Sequence, residues 1–271
     1  MKSKMKVVKE TLVLVALLSC TMNTSAQLII DYKMNDPSGT TSSGLQNDGT
    51  DSGSISGNAQ GVATDGSGNL HYTGLTANSS KSHVLDTTYS SGILQLTYRI
   101  SAWDYTGNAA SDGISFSLWN STDSKGLKAM VDFANNGTDT RIRVSGANAG
   151  KQKLLAGQLS GTDLIVRAIA NLDANTYSAE YNLGGAGWTS IASDEVLGVS
   201  SIDEFRLITD GTPSWGAGSS VDVDYATVEV VPEPSTVGLM AVAATALFLA
   251  RSKRQTPADK IIRQVERELG Y

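Results

Sequence analysis

The 271-residue chain has a single cysteine, Cys20, and two histidines, His71 and His83. One thiol excludes an intramolecular disulfide and a thiolate metal cluster. The two histidines have no nucleophile-elbow motif near them and read as surface residues, not as a catalytic pair. Glutamate is scarce too: between residues 27 and 231 there are only Glu180, Glu195, Glu204 and Glu229. Cleaving a glycosidic bond takes two carboxylates that flank it, and no Glu-x-Asp-x-Glu-like run offers them, so an enzyme is not expected. Calcium-loop repeats are absent as well. Asp48, Asp51, Asp65, Asp173 and Asn175 read as turn residues, and Asp222 with Asp224 as a solvated strand face or a calcium site. No metal or cofactor is assigned.

Positive charge is also short in the body of the chain. The whole sequence has a formal net charge of −6, but residues 27–231 hold 11 Lys and Arg against 22 Asp and Glu. That imbalance argues against nucleic acid as a partner and suits a solvated extracellular protein.

What is present begins with an export signal. Lys2, Lys4, Lys6 and Lys9 precede an apolar run from Leu12 to Leu18, and Thr24-Ser25-Ala26 offers small residues before Gln27. This is the layout of a signal peptide over residues 1–26, cleaved between Ala26 and Gln27 after passage through the secretory translocon. A rival reading uses Leu17-Leu18-Ser19-Cys20, which resembles a lipoprotein lipobox with Cys20 as the acylated residue.

Residues 27–231 show no helical periodicity and no internal repeat. They alternate apolar and polar residues in short runs: Leu94, Leu96, Tyr98, Ile100; Ile114, Phe116, Leu118; Ala129, Val131, Phe133; Ile142 and Val144 between Arg141 and Arg143. Leu164, Val166 and Ala168 are placed to pair with Tyr177, Ala179 and Tyr181 across Asp173-Ala174-Asn175. Phe205 and Leu207, then Val221, Val223 and Tyr225, close the series. Many short strands with Gly-rich turns predict an all-β antiparallel sandwich. The opening Ile30–Asp36 with Gly39-Thr40-Thr41, and the closing Phe205–Leu207 with Val221–Tyr225, resemble the first and last strands of laminin-G-like and concanavalin A-like jelly rolls.

The C-terminal part has three pieces. Pro232-Glu233-Pro234 cannot continue a helix. Residues 235–250 carry no charge and reach ~24 Å as a helix, somewhat short of a bilayer core. Arg251, Lys253 and Arg254 follow and keep that end cytoplasmic. A single transmembrane helix over 235–250 is expected, with the sandwich outside the membrane. Together the pieces, residues 232–254, resemble the PEP-CTERM sorting signal of Gram-negative bacteria. The resemblance implies recognition by an exosortase, an inner-membrane intermediate, and transfer of the body to the cell surface or extracellular polysaccharide matrix. A permanent anchor that no enzyme touches is the alternative. Unlike most such signals, this one is followed by a tail, residues 255–271. There Thr256-Pro257 starts a helix with Ile261, Ile262, Val265 and Leu269 on one face.

Sugar binding needs exposed aromatic faces beside polar groups. Trp103 and Tyr105 beside Asp104, and Trp215 in the Gly-rich loop after Asp210, are the candidate glycan contacts. Trp119 and Trp188 read as core or rim packing. The expectation is a non-enzymatic surface protein with an adhesive, glycan-binding or structural role; the alternative is a polysaccharide-acting enzyme on the same fold.

Overall fold

The computed structural model describes residues 26–59, 61–73, 78–104, 113–133, 139–147, 150–155, 163–210, 220–232 and 264–268. The chain separates into two compact units. In one, Ala26–Val231, the regular elements among the described residues are strands and one 3-10 turn, Ser42–Gly44. Its strands are β1 (Gln27–Tyr32), β2 (Val62–Thr64), β3 (Leu70–Thr73), β4 (Ser79–Tyr89), β5 (Ile93–Asp104), β6 (Gly113–Asn120) and β7 (Lys125–Phe133). They continue as β8 (Thr140–Ser145), β9 (Lys151–Leu155), β10 (Leu164–Asn171), β11 (Thr176–Leu183), β12 (Trp188–Val196), β13 (Ile202–Asp210) and β14 (Ser220–Val231).

These strands make two antiparallel sheets. The eight-stranded sheet runs β12-β11-β10-β5-β14-β3-β2, and β1 also pairs with β14. The six-stranded sheet runs β4-β13-β6-β7-β8-β9. Strand β14 is the hub of the larger sheet. It lies along β5 on one side, and on the other it pairs with β3 through Ser220–Val223 and with β1 through Ala226–Val230.

Period-two alternation explains which residues meet between the sheets. Leu94, Leu96, Tyr98 and Ile100 of β5 and Leu164, Val166 and Ala168 of β10 point inward from one sheet. Ile114, Phe116 and Leu118 of β6, Val131 of β7, and Ile142 and Val144 of β8 point inward from the other. The expected pairing across Asp173-Ala174-Asn175 is present, with Val166 opposite Tyr181 and Ala168 opposite Ala179. Asn175 takes the left-handed conformation that this tight turn requires (φ 52°). Aromatic rings stitch the layers: Tyr98 to Phe116 at 4.8 Å between centroids, Phe116 to Phe205 at 5.8 Å and Phe205 to Tyr32 at 5.9 Å. Such pairs add about 0.5–1.5 kcal/mol each beyond the area they bury.

One strand departs from simple alternation. The register of β14 shifts between Asp222 and Tyr225, and the bulge turns the phase of the strand. Val221 and Val223 face the core as expected, but then Ala226 and Val228 do, and Tyr225 moves to the outward side.

Of the other unit, residues 1–25 with 232–271, the described part is Pro232 and a helical turn over 264–268. Val265, on the apolar face expected of that helix, is exposed. The expected membrane-crossing segment, 235–250, lies outside the described residues, as do Glu233, Pro234, Arg251, Lys253 and Arg254. Among the described residues no helix is long and apolar enough to cross a membrane.

Candidate functional site

The two outward faces of the sandwich carry its exposed chemistry. On the eight-stranded sheet, the pairing places Trp188, Asn182, Ile165, Arg99 and Tyr225 in one row across β12, β11, β10, β5 and β14. Four strand spacings make this row ~19 Å long. Trp188 begins the edge strand directly after the Gly184–Gly187 turn, and 42% of it is exposed. The Arg167 guanidinium lies 4.0 Å from the ring centroid and is itself held by Glu180, so the indole is braced on one side and open on the other. Asn182, directly across from Trp188, has a buried carbonyl oxygen with no hydrogen-bond partner. At the far end Arg99 bonds Asp163 (2.7 Å) and Asp224 (2.5 Å). The Asp163 bond, joined by Asp224, pushes the Arg99 pKa further up, and burial raises that of Tyr225. The row thus offers an aromatic plate, an amide, a guanidinium and carboxylates: the groups that stack on a sugar ring and bond its hydroxyls.

On the six-stranded sheet the outward residues are Glu204 and Arg206 of β13, Ser115, Ser117 and Trp119 of β6, Lys128, Met130 and Asp132 of β7, and Arg141, Arg143 and Ser145 of β8. Arg206 sits 4.4 Å from the centroid of Trp119 and bonds Glu204 at 2.6 Å. Trp119 lies across Gly126, where an added Cβ would fall 2.9 Å from the ring and 2.1 Å from the Leu118 carbonyl oxygen. Asp132 is fully buried. It accepts two bonds from Arg141, at 2.9 and 2.7 Å, and a third from Arg143. A cavity of about 460 Å3 opens over β7, β8 and β9, lined by Lys128, Met130, Arg143, Ser145, Lys151 and Gln152 with Gly150.

Both histidines sit against carboxylates, at different depths. His83 of β4 is fully buried, which corrects its reading as a surface residue: it faces inward opposite Phe205. Tyr32 Oη lies 2.6 Å from its Nδ1, and Asp51 Oδ1 lies 2.6 Å from its Nε2. Asp51 also accepts from the backbone of Gly53 and Asp86, so the group ties β1, β4 and the loop between β1 and β2 together. It is a structural clamp sealed from solvent. His71 of β3 is half-buried, with its Nδ1 2.5 Å from Asp222 Oδ1, and it borders a second cavity of about 390 Å3 beside Thr41, Thr64 and Thr73.

The remaining turn acids are also engaged. Asp222 and Asp224 are held by His71 and Arg99, Asp48 by Lys33, and Asp173 by the Gly92 amide. Asp65 closes a local turn; burial would raise its pKa, but bonds from Asn69 and Ser67 overcome this and hold the carboxyl well below the usual range. Among the described residues no group of three or more His, Cys, Asp or Glu is placed to hold a metal.

Of the expected glycan contacts, Trp103 is not in a loop. It lies near the end of β5 opposite Val221, 4% exposed and packed in the hydrophobic core, so its ring offers no stacking face. Strand β5 runs on to Asp104, and a bulge at Ser101, where the register with β14 shifts between Asp222 and Val223, moves the inward phase from Ala102 to Trp103. Tyr105 and Trp215 lie outside the described residues. Among the described tryptophans, Trp188, read as packing, is the exposed one. Its signal was its company: Thr189 and Ser190 follow it, so it stands on a polar stretch where an inward strand position would have apolar neighbours two residues away.

Residues 230–255 match the PEP-CTERM protein-sorting motif. The chain carries a PEP-CTERM sorting motif. The motif starts at Val230, within the last two residues of β14. No curated protein sequence matches the chain. Solved structures similar to the sandwich include peanut lectin, at 12% identity and TM-score 0.44 over 65% of this chain and 88% of the lectin. The receptor binding domain of botulinum neurotoxin D is similar at 9% identity and TM-score 0.49, over 80% of this chain and 53% of that one. The carbohydrate recognition domain of Emp46p in its metal-free form is similar at 14% identity and TM-score 0.40, over 62% and 84%.

Proposed function

We propose that this PEP-CTERM chain is an exported, non-enzymatic surface protein whose sandwich binds glycan through the outward face of the eight-stranded sheet. The carrying observation is the braced indole of Trp188, exposed at one end of a polar row whose Asn182 carbonyl has no protein partner. A rigid aromatic plate costs little entropy to present, and unsatisfied polar groups beside it reward a hydroxyl-rich ligand. The sorting motif, abutting β14, makes the whole sandwich the cargo of an exosortase. In this reading residues 1–26 are a signal peptide handled by the translocon, and 235–250 span the inner membrane as an intermediate before release to the surface or polysaccharide matrix.

A glycan array and a reducing-sugar assay on the full-length chain test the binding half. Binding without turnover, lost in Trp188→Ala, is expected; wild-type binding retained in that variant would sink the assignment to this face. For the sorting half, the intact mass of protein recovered from the cell surface should end near residues 232–234, and a mass that includes Tyr271 means a retained anchor. One observation favours the enzyme reading: the His71–Asp222 pair, a general-base geometry, at the mouth of a cavity. Release of oligosaccharide that disappears in His71→Ala would establish it in place of simple binding.

A further inference from the structure

The cavity over β7, β8 and β9 has a character that the chain as a whole lacks. Three cations, Lys128, Arg143 and Lys151, line it, and no carboxylate does among the described residues. At about 460 Å3 it is in the range of small-ligand sites, ~300–1,000 Å3. Arg143 is positioned from behind: Nη2 bonds the buried Asp132 and the Met130 sulfur (2.9 Å), which fixes the guanidinium plane. Its Nε is buried with no partner. Arg141 bonds the same carboxylate. Lys151 is partly balanced by Glu195 at 2.9 Å, across the edge of the sandwich.

A second observation points the same way. Ser115 Oγ, Ser117 Oγ, Trp119 Nε1 and Arg143 Nε are all buried and without a hydrogen-bond partner, and all lie on this one outward face. Ser115 stands directly across from Met130, and Ser117 from Lys128. Both covering side chains are long and flexible, so small rotamer changes expose the hydroxyls to a ligand seated over β7. Buried donors left unmet are costly, and an acceptor-rich ligand recovers that cost.

We propose that this cavity binds the acidic groups, carboxylate or sulfate, of an anionic polysaccharide. It rests on the surface placement argued above but not on the Trp188 face. A nucleic acid would present phosphates to the same cations, but its bases need aromatic plates to stack on. No aromatic residue lines the cavity among those described. The chain's net charge of −6 repels any polyanion at long range, so binding here is local and strongly salt-dependent.

The full-length chain is titrated at low salt with polygalacturonate, dextran sulfate, neutral dextran and a single-stranded DNA oligomer. Binding to one or both acidic polysaccharides over dextran is expected, weakening as salt rises, and the better of the two identifies the acidic group. Lys128→Gln should lower that affinity about tenfold. Gln152→Glu, which places a carboxylate at the rim without touching any ion pair described here, should do the same and keep the wild-type melting temperature. Trp188→Ala should leave it unchanged, so loss of neutral-glycan binding in that variant fails or succeeds separately. Equal binding to dextran and the acidic polymers, preference for the DNA, indifference to both Lys128→Gln and Gln152→Glu, or loss in Trp188→Ala would each overturn the proposal.

Discussion

On the eight-stranded sheet Arg167 lies over Trp188 and is held by Glu180; on the six-stranded sheet Arg206 lies over Trp119 and is held by Glu204. The side chains are the same and the distances close, yet the two units do different work. Trp188 is on β12, at the edge of its sheet among the described strands, and is exposed. Trp119 is on β6, between β13 and β7, and its ring covers the bare backbone of Gly126 while its indole nitrogen is buried. Strand position, not residue chemistry, leaves one tryptophan exposed and makes the other a piece of packing. The ion pairs follow the same rule. Asp132 is sealed beneath two arginines, whereas Arg167 and Glu180 are both about a quarter exposed.

The largest effect should fall on what both faces share. Burial raises the pKa of Tyr72, Tyr98 and Tyr32 above the usual phenol value. A raised folded-state pKa means stability that is intact below the unfolded value, ~10, and lost as pH rises past it, because only the unfolded chain can ionise. At pH 11 three such phenols cost about 4 kcal/mol. Denaturant midpoints measured from pH 8 to 11 should therefore fall steeply above 10, and both binding faces should fail together. Failure of one face alone would show that they do not depend on a common core.

Next in size is Asp132→Ala, which leaves Arg141 mostly buried without its carboxylate and should cost roughly 3–5 kcal/mol in a urea melt. Trp119→Ala should lose about 2 kcal/mol of stability by uncovering Gly126. Trp188→Ala should instead leave the melting temperature nearly unchanged and lower glycan affinity about tenfold or more. If Trp188→Ala proves as destabilising as Trp119→Ala, the contrast between platform and packing is wrong. Smallest of all is Glu180→Ala, expected to change stability by less than about 1 kcal/mol because its ion pair is partly exposed to water.

Much of the fold was legible in alternation. The inward faces of β5, β6, β8, β10 and β13 follow from Leu94–Ile100, Ile114–Leu118, Ile142–Val144, Leu164–Ala168 and Phe205–Leu207, since a residue buried on one side of a strand must recur every second position. The site was less so. Trp103 was misplaced because Asp104 and the glycines beyond it look like a loop, although the strand persists to Asp104. Tyr225 was given the wrong face because nothing in Val221–Tyr225 announces a bulge: one extra residue flips the phase, and its cause is the pairing of β14 with β5. His83 and Asp51 are 32 residues apart, and the depth at which they meet is set by the loop that crosses β4.

By itself the sequence determined the β class, the inward residues of several strands and the sorting motif at 230–255, because these are local patterns: a period of two, and a Pro-Glu-Pro followed by an apolar run and a basic stop. Only the tertiary structure decided which tryptophan is exposed, which carboxylates are sealed, and where three cations gather in a chain of net negative charge. Those outcomes depend on the order of strands within each sheet. Whether a strand lies at an edge or in the middle is a property of its neighbours, and no stretch of residues carries it alone.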